Sequence, residues 1–427
     1  MPEFDLLIRG AANVPALGIA GGRIAALAEG TAREEIDATG LLLLPGVIDA
    51  HVHFNEPGRA DWEGIATGSR ACAAGGTTTF FDMPLNAHPP TCDAASFDLK
   101  RAAMERAAFV DFALWGGLVP GNRDDLEPLR DRGVIGLKAF MAGSGIDDFP
   151  RVDLPILRAG MKRAAGLGLM VAVHAEFDRP ELQRGWSWRH FVASRPIESE
   201  LAAIQAAVEI AGETGCALHI VHVSSAAGVD LVTAARARGV DVTCETCPHY
   251  LVLNEEDLDR LGAVAKCAPP LRPETERRAL LARLRAGEIS TVGSDHSPSP
   301  WSMKSDTDFF KIWGGISGCQ HLLVLLFDLE LEPELIARLT ASNVASRFRI
   351  PQKGCIVPGA NADLVLVDPK GQTEVTSGSL RYRHPHSPYG GQRLRGRVVR
   401  TLLRGRTICL EDRLIGEPRG RLVNRRS

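Results

Sequence analysis

Residues 41–53, LLLLPGVIDAHVH, hold the pattern on which the fold prediction depends. The apolar run that opens this segment predicts a buried strand, and a His-Val-His motif, with His51 and His53, closes it. Side chains alternate between the two faces of a strand, so histidines two residues apart project to the same side of the strand end. Two such imidazoles can bind one metal ion. The motif is short, and a pair of ordinary histidines is the alternative that it leaves open.

The segments that follow repeat a strand and helix pattern. Short runs rich in β-formers alternate with longer stretches rich in alanine, leucine and arginine. Eight such runs occur, at 47–53, 77–82, 110–115, 134–138, 169–174, 218–223, 240–246 and 289–294. Eight strands separated by helices predict an α/β fold, a (β/α)8 TIM-type barrel over residues 46–350. A doubly wound open sheet is the alternative, but no G-x-G-x-x-G turn follows the first strand.

The two ends of the chain have a different pattern, in which short apolar stretches are separated by glycine turns. Residues 1–45 and residues 351–427 each predict a few antiparallel strands. Neither end has enough strands to bury a sheet face alone. We therefore expect both termini to pack together into one small β-sandwich domain.

Composition and charge limit the classes of partner. The chain is 45% hydrophobic and 24% charged, with a formal net charge of -3. It has no basic stripe for nucleic acid, no polybasic membrane anchor, and no apolar run near the roughly 20 residues of a membrane helix. The acidic amino terminus has no signal-peptide core, and nine cysteines, an odd number, fit free thiols. We expect a cytoplasmic protein that acts on a small molecule and binds neither nucleic acid nor membrane.

Residues able to bind a metal stand where the predicted strands end. In a (β/α)8 barrel these ends meet on the C-terminal face, where functional side chains gather. The candidates are His51, His53, Lys138, His174, His222 and, just past the eighth strand, Asp295. His219 lies three residues before His222 and therefore faces the opposite side, so we expect it to be structural.

Lys138 and Asp295 leave alternatives open. A buried ammonium is costly and repels cations, whereas a neutral amine that adds CO2 becomes a carbamate whose oxygens can bridge two cations. From spacing alone, a lysine that reaches solvent or pairs with a carboxylate is the more common outcome. Asp295 can bind a cation and exchange a proton with the attacking water, but an aspartate before Ser-Pro is more often a turn or capping residue.

Six segments resemble, in order, the motifs of the cyclic amidohydrolases, over nearly the full length: 45–53, 136–141, 173–176, 222–225, 247–251 and 294–298. This resemblance implies two divalent metal ions per subunit, with zinc preferred over manganese, cobalt or iron. It also implies a homotetramer.

The same resemblance implies the role of each candidate ligand. His51, His53, Asp295 and an N6-carboxylated Lys138 would hold one ion. Lys138 would bridge to the other, which His174 and His222 would hold. Asp295, as the catalytic residue, would take a proton from water and deliver it to the departing ring nitrogen.

Within this family, the chain is most similar to members that hydrolyse allantoin to allantoate in purine breakdown, through segments 83–86, 140–150, 266–272 and 313–316. We expect substrate contacts at the backbone near Ala268 and Gly318, and a weaker one at Asn86. Members of this group often have serine where Ala268 stands.

Other groups of the family are alternatives. Hydantoinases and dihydropyrimidinases carry a tyrosine where this chain has Gly143, and dihydroorotases carry an arginine where it has Asn55. We place them second and third. A catalytically silent scaffold is a different class, and the presence of all six ligand residues disfavours it.

Overall fold

The computed structural model describes residues 3–425. The strands in this range are β1 (Glu3–Arg9), β2 (Ala16–Ala20), β3 (Arg23–Ala26), β4 (Thr31–Asp37), β5 (Leu42–Pro45), β6 (Val47–Val52), β7 (Thr77–Asp82), β8 (Asp111–Leu114), β9 (Gly116–Gly117), β10 (Leu137–Phe140), β11 (Val171–His174), β12 (Leu218–Ile220), β13 (Val242–Thr246), β14 (Thr291–Val292), β15 (Leu364–Glu374), β16 (Arg393–Leu403), β17 (Arg406–Leu410) and β18 (Arg413–Leu414). The α-helices are α1 (Ile65–Ala74), α2 (Ala94–Ala107), α3 (Leu126–Asp131), α4 (Leu154–Gly166), α5 (Trp188–Ala193), α6 (Ile197–Thr214), α7 (Ala226–Ala237), α8 (Pro248–Val252), α9 (Leu258–Leu261), α10 (Glu274–Arg285), α11 (Leu322–Asp328), α12 (Pro333–Ala337) and α13 (Asn343–Arg347).

Parallel strands form the predicted barrel. β6, β7 and β8 pair in one sheet, and β9 to β14 pair in chain order in a second. Only Trp115 separates β8 from β9, and these two pieces pair with β7 and β10 respectively, so together they act as one wall strand. The ring closes where Val52 pairs in parallel with His296, just past β14. The (β/α)8 barrel is confirmed, with each of the eight apolar runs overlapping a wall strand.

Burial explains why these runs form strands of a parallel sheet. Every residue of β6, β7, β8, β10 and β11 is buried, as expected where helices cover one face and the barrel interior fills the other. Side-chain caps begin several of the crossing helices. Asp93 accepts from Ser96 N at the start of α2, and Ser225 accepts from Gly228 N at the start of α7.

The remaining strands form the small β-domain. One sheet has the order β3-β2-β1-β4, and the other has the order β18-β17-β16-β15-β5. One apolar core includes residues from both sheets: Leu6, Ile8, Leu17, Ile36, Leu43, Leu364, Leu366 and Leu402. The expected β-sandwich built from both termini is confirmed.

The junctions of the two units are short. β5 ends at Pro45 and β6 begins at Val47. Near the other terminus the chain returns to the barrel, because Phe112 N donates to Arg421 O (3.0 Å) and Val423 N donates to Phe112 O (2.7 Å). The division of the chain at 1–45, 46–350 and 351–427 stays a prediction.

Among the helices of residues 3–425, none combines the length and the apolar character needed to cross a bilayer. All nine cysteines are free thiols, and all but Cys92 and Cys355 are buried.

Candidate metal centre

The metal-capable side chains expected at the strand ends converge in the structure. Nε2 of His51 and Nε2 of His53 lie 3.1 Å and 3.3 Å from the same atom, Oδ1 of Asp295. Nδ1 of His174 lies 2.9 Å from Nε2 of His222. The rings of His51 and His222 have centroids 5.5 Å apart, so the two groups form one cluster.

Lys138 lies within this cluster rather than at the surface. Its side chain is fully buried, and its Nζ has no hydrogen-bond partner among the described residues. Nζ lies 4.9 Å from the centroid of the Phe140 ring. Burial lowers the pKa of Lys138 to about 7, although the charges of Asp295 and Glu245 oppose this shift. The neutral amine, which is the form that adds CO2, is therefore accessible at neutral pH.

The residues present fit a divalent metal. His51, His53 and Asp295 offer ligand atoms that all lie within 4.8 Å of one another. Imidazole nitrogens together with a carboxylate are the donors that zinc and similar ions prefer. Buried polar atoms are normally paired, yet Lys138 Nζ and His222 Nδ1 have no partner in the described part of the chain. A metal ion and a carbamate would give this cluster the bonds that the protein does not supply.

The electrostatics of the cluster also suit a cation. Burial would raise the pKa of Asp295, but His51 and His53 hold it well below its ordinary value, so the carboxylate is ionised. Burial lowers the pKa of His53 to about 4 and that of His222 well below its ordinary range. These imidazoles are neutral at pH 7 and can offer lone pairs to a metal.

Glu245 orients His51. Its Oε1 lies 2.7 Å from Nδ1 of His51, which directs Nε2 towards Asp295. Burial would raise the pKa of Glu245, but His51 and His219 lower it to about 2. His219 lies outside the ligand group, with Nδ1 2.8 Å from Thr243 Oγ1 and Nε2 3.8 Å from Glu245 Oε2.

Glu176 supports His174 in the same way. Its Oε2 lies 3.4 Å from Nε2 of His174 and also accepts from Arg195. Burial would raise the pKa of Glu176, but Arg195 and His174 lower it. Nδ1 of His174 is thereby left facing His222.

Loops just past the strands place the last two ligand candidates. His222 and Asp295 have positive φ angles, 40° and 46°, which non-glycine residues adopt only where the surroundings stabilise them. Beside His222, the buried Glu200 accepts from Ser224 N (2.7 Å) and Ser225 Oγ (2.7 Å). Ser224 and Ser225 therefore hold the loop after β12 in place.

Two more donors lie near Asp295. Cys247 and His249 place ligand atoms within 4.8 Å of each other and of the Asp295 carboxylate. Both ring nitrogens of His249 lack a partner among residues 3–425. Sequence spacing alone did not single out this group, because neither residue is adjacent to Asp295 in the chain.

A cavity of about 510 Å³ opens onto the cluster. Asn86 and Ala268, two of the expected substrate contacts, line it, and Asn86 Nδ2 lies 3.4 Å from His53 Nδ1. Gly318, the third, does not line it. Its N–H donates to His296 Nδ1 (3.2 Å), and its carbonyl accepts from His321 N (3.0 Å).

Sequence reasoning missed other lining residues, notably Arg195, Trp313, Gly314 and Gly315. Both the N–H and the C=O of Gly314 lack a hydrogen-bond partner among the described residues, so these two groups are available to a ligand. The sequence signal for the contact at Gly314 was the Trp-Gly-Gly run, since consecutive glycines allow a backbone to approach a ligand closely.

The chain matches known proteins over most of its length. The model of the amidohydrolase family matches residues 42–408. The chain is 54% identical to an allantoinase of Rubrobacter xylanophilus, over 99% of this chain and 98% of that protein. It is 48% identical to an allantoinase of Deinococcus radiodurans, over the full length of both. Among solved structures, the L-hydantoinase (dihydropyrimidinase) of Arthrobacter aurescens superimposes with a TM-score of 0.95 at 31% identity, covering 99% of this chain and all of that one.

Proposed function

The chain belongs to the amidohydrolase family, and on that premise we propose that it hydrolyses allantoin to allantoate, a step of purine catabolism. It is a hydrolase that acts on carbon–nitrogen bonds in cyclic amides. The observation that carries the choice of substrate is its similarity to allantoinases along the whole length of both chains.

The cavity supports a substrate with a polar substituent. A methyl group added at Gly143 would meet only Asp178 Oδ2, at 3.8 Å, so the side chain that hydantoinases carry here is replaced by open space. Gly143 N donates to Asp178 Oδ2 (2.9 Å), and Ser144 also lines this side of the cavity. A ureido group on the ring would find polar partners here that an alkyl or aryl group could not use.

We further propose two divalent cations per subunit, zinc by preference. His51, His53, Asp295 and a carboxylated Lys138 would hold one ion, and His174, His222 and the same lysine would hold the other. Such ions supply an acidified water and a Lewis acid for a carbonyl oxygen. The support is the buried, unpartnered amine of Lys138 among neutral imidazoles.

The remaining steps belong to the residues of the chain. Asp295, which is ionised and lies against His51 and His53, takes the proton of the attacking water and transfers it to the ring nitrogen as the amide bond breaks. Glu245 and Glu176 keep the imidazoles in the required tautomers. The free peptide groups of Gly314, with Ala268 and Asn86, bind the polar edge of the ring.

Asp295→Asn tests the role of Asp295. The amide cannot accept the proton, so we expect a folded protein whose kcat falls by about 100-fold or more. Steady-state kinetics across pH would measure the loss. A pH profile of kcat unchanged from that of the parent enzyme would remove Asp295 from proton transfer.

One experiment tests the function as a whole. The purified enzyme is assayed against allantoin, 5-substituted hydantoins, dihydrouracil and dihydroorotate, with its metal content measured alongside. We expect the highest kcat/KM for allantoin and two metal ions per chain. A higher kcat/KM for hydantoins or dihydrouracil would favour the second candidate, hydantoinase or dihydropyrimidinase, which the likeness to the L-hydantoinase supports.

We propose a homotetramer in the cytoplasm. Light scattering coupled to gel filtration tests the first part, and a mass near that of one 46.0 kDa chain would contradict it. Cell fractionation tests the second part.

A further inference from the structure

One wall of the cavity is a long loop, residues 301–316, here called the cap loop. It has no strand or α-helix, only a 3-10 turn at Trp301–Met303 and an isolated bridge between Ile316 and His296. Its Met303, Phe310, Trp313, Gly314 and Gly315 line the cavity. A loop of this length with so little regular secondary structure needs other partners for its backbone carbonyls if it is to hold one shape.

Two lysines bind five of its backbone carbonyls. Lys266 Nζ donates to the carbonyls of Phe309 (2.6 Å), Phe310 (3.3 Å) and Ile312 (2.5 Å). Its own carbonyl accepts from Gly315 N (2.7 Å). Lys266 therefore binds the cap loop through its side chain and its main chain.

The second lysine lies within the cap loop. Lys304 Nζ donates to the carbonyls of Gly315 (2.9 Å), Trp313 (3.1 Å) and Ala263 (3.3 Å). One ammonium thus holds the carbonyls on both sides of Gly314, whose own peptide groups are free. Because the carbonyls of Trp313 and Gly315 are fixed, the direction of the N–H and C=O groups of Gly314 is fixed as well.

Both lysines are buried, with 5% of Lys266 and 2% of Lys304 exposed. An ammonium has three donors, and six carbonyls satisfy the two groups in full. In the described part of the chain neither Nζ forms an ion pair within 4.0 Å. Burial lowers the pKa of Lys266 to about 8 and that of Lys304 to about 7, while the three carbonyl acceptors around each Nζ favour the ammonium form. Burying two such groups is costly, which indicates that holding these carbonyls in place has a role.

The hydrogen bonds of the two lysines connect the cap loop to other residues of the cavity. Lys266 precedes Cys267 and Ala268, which also line the cavity. Trp313 in turn packs edge-on against Trp62, with ring centroids 4.8 Å apart. Loosening either ammonium would let the wall that carries Trp313 and Gly314 move away from the substrate.

We propose that Lys266 and Lys304 are positioning residues that clamp the cap loop onto the cavity and thereby set the affinity for the substrate. The inference rests on the proposed function in that it takes the occupant to be a cyclic amide. Neither lysine is near enough to the metal ligands to form a bond with them. The clamp therefore acts on substrate binding and leaves metal content unchanged.

The test compares Lys266→Met and Lys304→Met with Lys162→Met, a control on the exposed face of α4. Methionine keeps most of the side-chain length and removes all three donors. We expect KM to rise at least about tenfold in both clamp variants, while kcat changes by less than about threefold. Amide hydrogen exchange should become faster in residues 301–316 and stay unchanged in the barrel strands, and the control should match the parent enzyme.

A purely structural role would lower the melting temperature while the folded fraction kept the parent KM. That result, or unchanged exchange in the cap loop, would overturn the proposal. If a methionine variant does not fold, Lys304→Gln, which keeps two donors, carries the same measurements. KM is taken on whichever cyclic amide is turned over and exchange needs no substrate, so a failure of the allantoin assignment leaves this test intact.

Discussion

At the scale of the residue, burial sets the protonation state on which the chemistry depends. The neutral form of Lys138 and the neutral imidazole of His53 both follow from desolvation. Glu245 is buried and Asp295 is partly buried, yet neighbouring imidazoles keep both carboxylates ionised. One cluster thus presents both neutral nitrogen ligands and carboxylates at the same pH.

Replacing Lys138 tests the bridging role directly. Lys138→Ala removes the amine that would carry the carbamate, so we expect loss of most bound metal and a fall in turnover of at least about 100-fold. A small carboxylic acid added to the variant should restore part of both. Metal analysis and turnover are the measurements, with Lys162→Ala as the surface control.

Near-normal turnover with two metal ions per Lys138→Ala chain, in the absence of added acid, would contradict the bridging role.

At the scale of the element, the barrel strands bring the ligand candidates to one end of the barrel, and the loops beyond the strands set the positions of their side chains. β12 ends at Ile220, two residues before His222, and β14 ends at Val292, three residues before Asp295. Both ligand candidates then take left-handed backbone angles. Hydrogen bonds that Glu200 accepts hold the segment after β12, and those that Lys304 donates hold the cap loop.

Gly315 shows how tightly the cap loop packs. Its φ is +150°, and a Cβ at this position would lie 2.1 Å from Ser297 O, which is backbone and cannot move aside. We expect Gly315→Ala to destabilise the fold by about 2 kcal/mol or more and to lower kcat/KM at least about tenfold. Gly166→Ala, at a position on α4 with open space around it, is the matched control. If Gly315→Ala matched the parent in thermal unfolding and kinetics, the close contact between residue 315 and Ser297 O would be refuted.

At the scale of the whole molecule, a buried charge cluster joins the β-sandwich to the barrel. Asp111 of β8 accepts from Lys353 Nζ (2.9 Å) and from Arg404 Nη1 (2.6 Å). Lys353 also donates to Asp363 (2.5 Å). Burial would raise the pKa of Asp111, but the two cations lower it, so the group is ionised. The barrel therefore depends on residues far along the chain.

Asp111→Asn should weaken this junction. It leaves the buried Lys353 and the partly buried Arg404 without their shared anion, and we expect a loss of about 3 kcal/mol in the free energy of unfolding. Urea unfolding measures this loss, and Glu213→Gln, which breaks the exposed ion pair with Arg158, is the control expected to change little. Equal free energies of unfolding in the two variants would show that the cluster around Asp111 does not stabilise the protein more than an exposed ion pair does.

His321 predicts a dependence of stability on pH. It is buried next to α11, and burial lowers its pKa to about 4, whereas an unfolded histidine titrates near 6.5. Between these values the unfolded chain binds a proton that the folded chain does not, so the contribution is present above about pH 6.5 and is lost as the pH falls towards 4. Between pH 7 and 4.5, His321→Leu should lose about 2 to 3 kcal/mol less stability than the parent. If the free energies of unfolding of His321→Leu and the parent fell equally between pH 7 and 4.5, the pH dependence would not arise from His321.

The sequence by itself determined the barrel, the sandwich and the type of chemistry. Strand periodicity and apolar runs are local properties, and the motifs around His51, Lys138 and Asp295 carry their donors within a few residues. Spacing alone left Lys138 between solvent, an ion pair and a carbamate, because the burial of a side chain depends on neighbours from other strands. The resemblance to a family, rather than spacing, favoured the carbamate.

Only the tertiary structure decided which backbone faces the substrate. Gly318 was the expected contact, yet its peptide groups are bound to His296 and His321, while Gly314 faces the cavity with its own groups free. The clamp by Lys266 and Lys304 could not be predicted from the sequence either, since an ammonium that binds carbonyls leaves no periodic pattern in the sequence. Hydrogen bonds between segments far apart in the chain depend on how the loops meet, and this follows from the packing of the whole barrel.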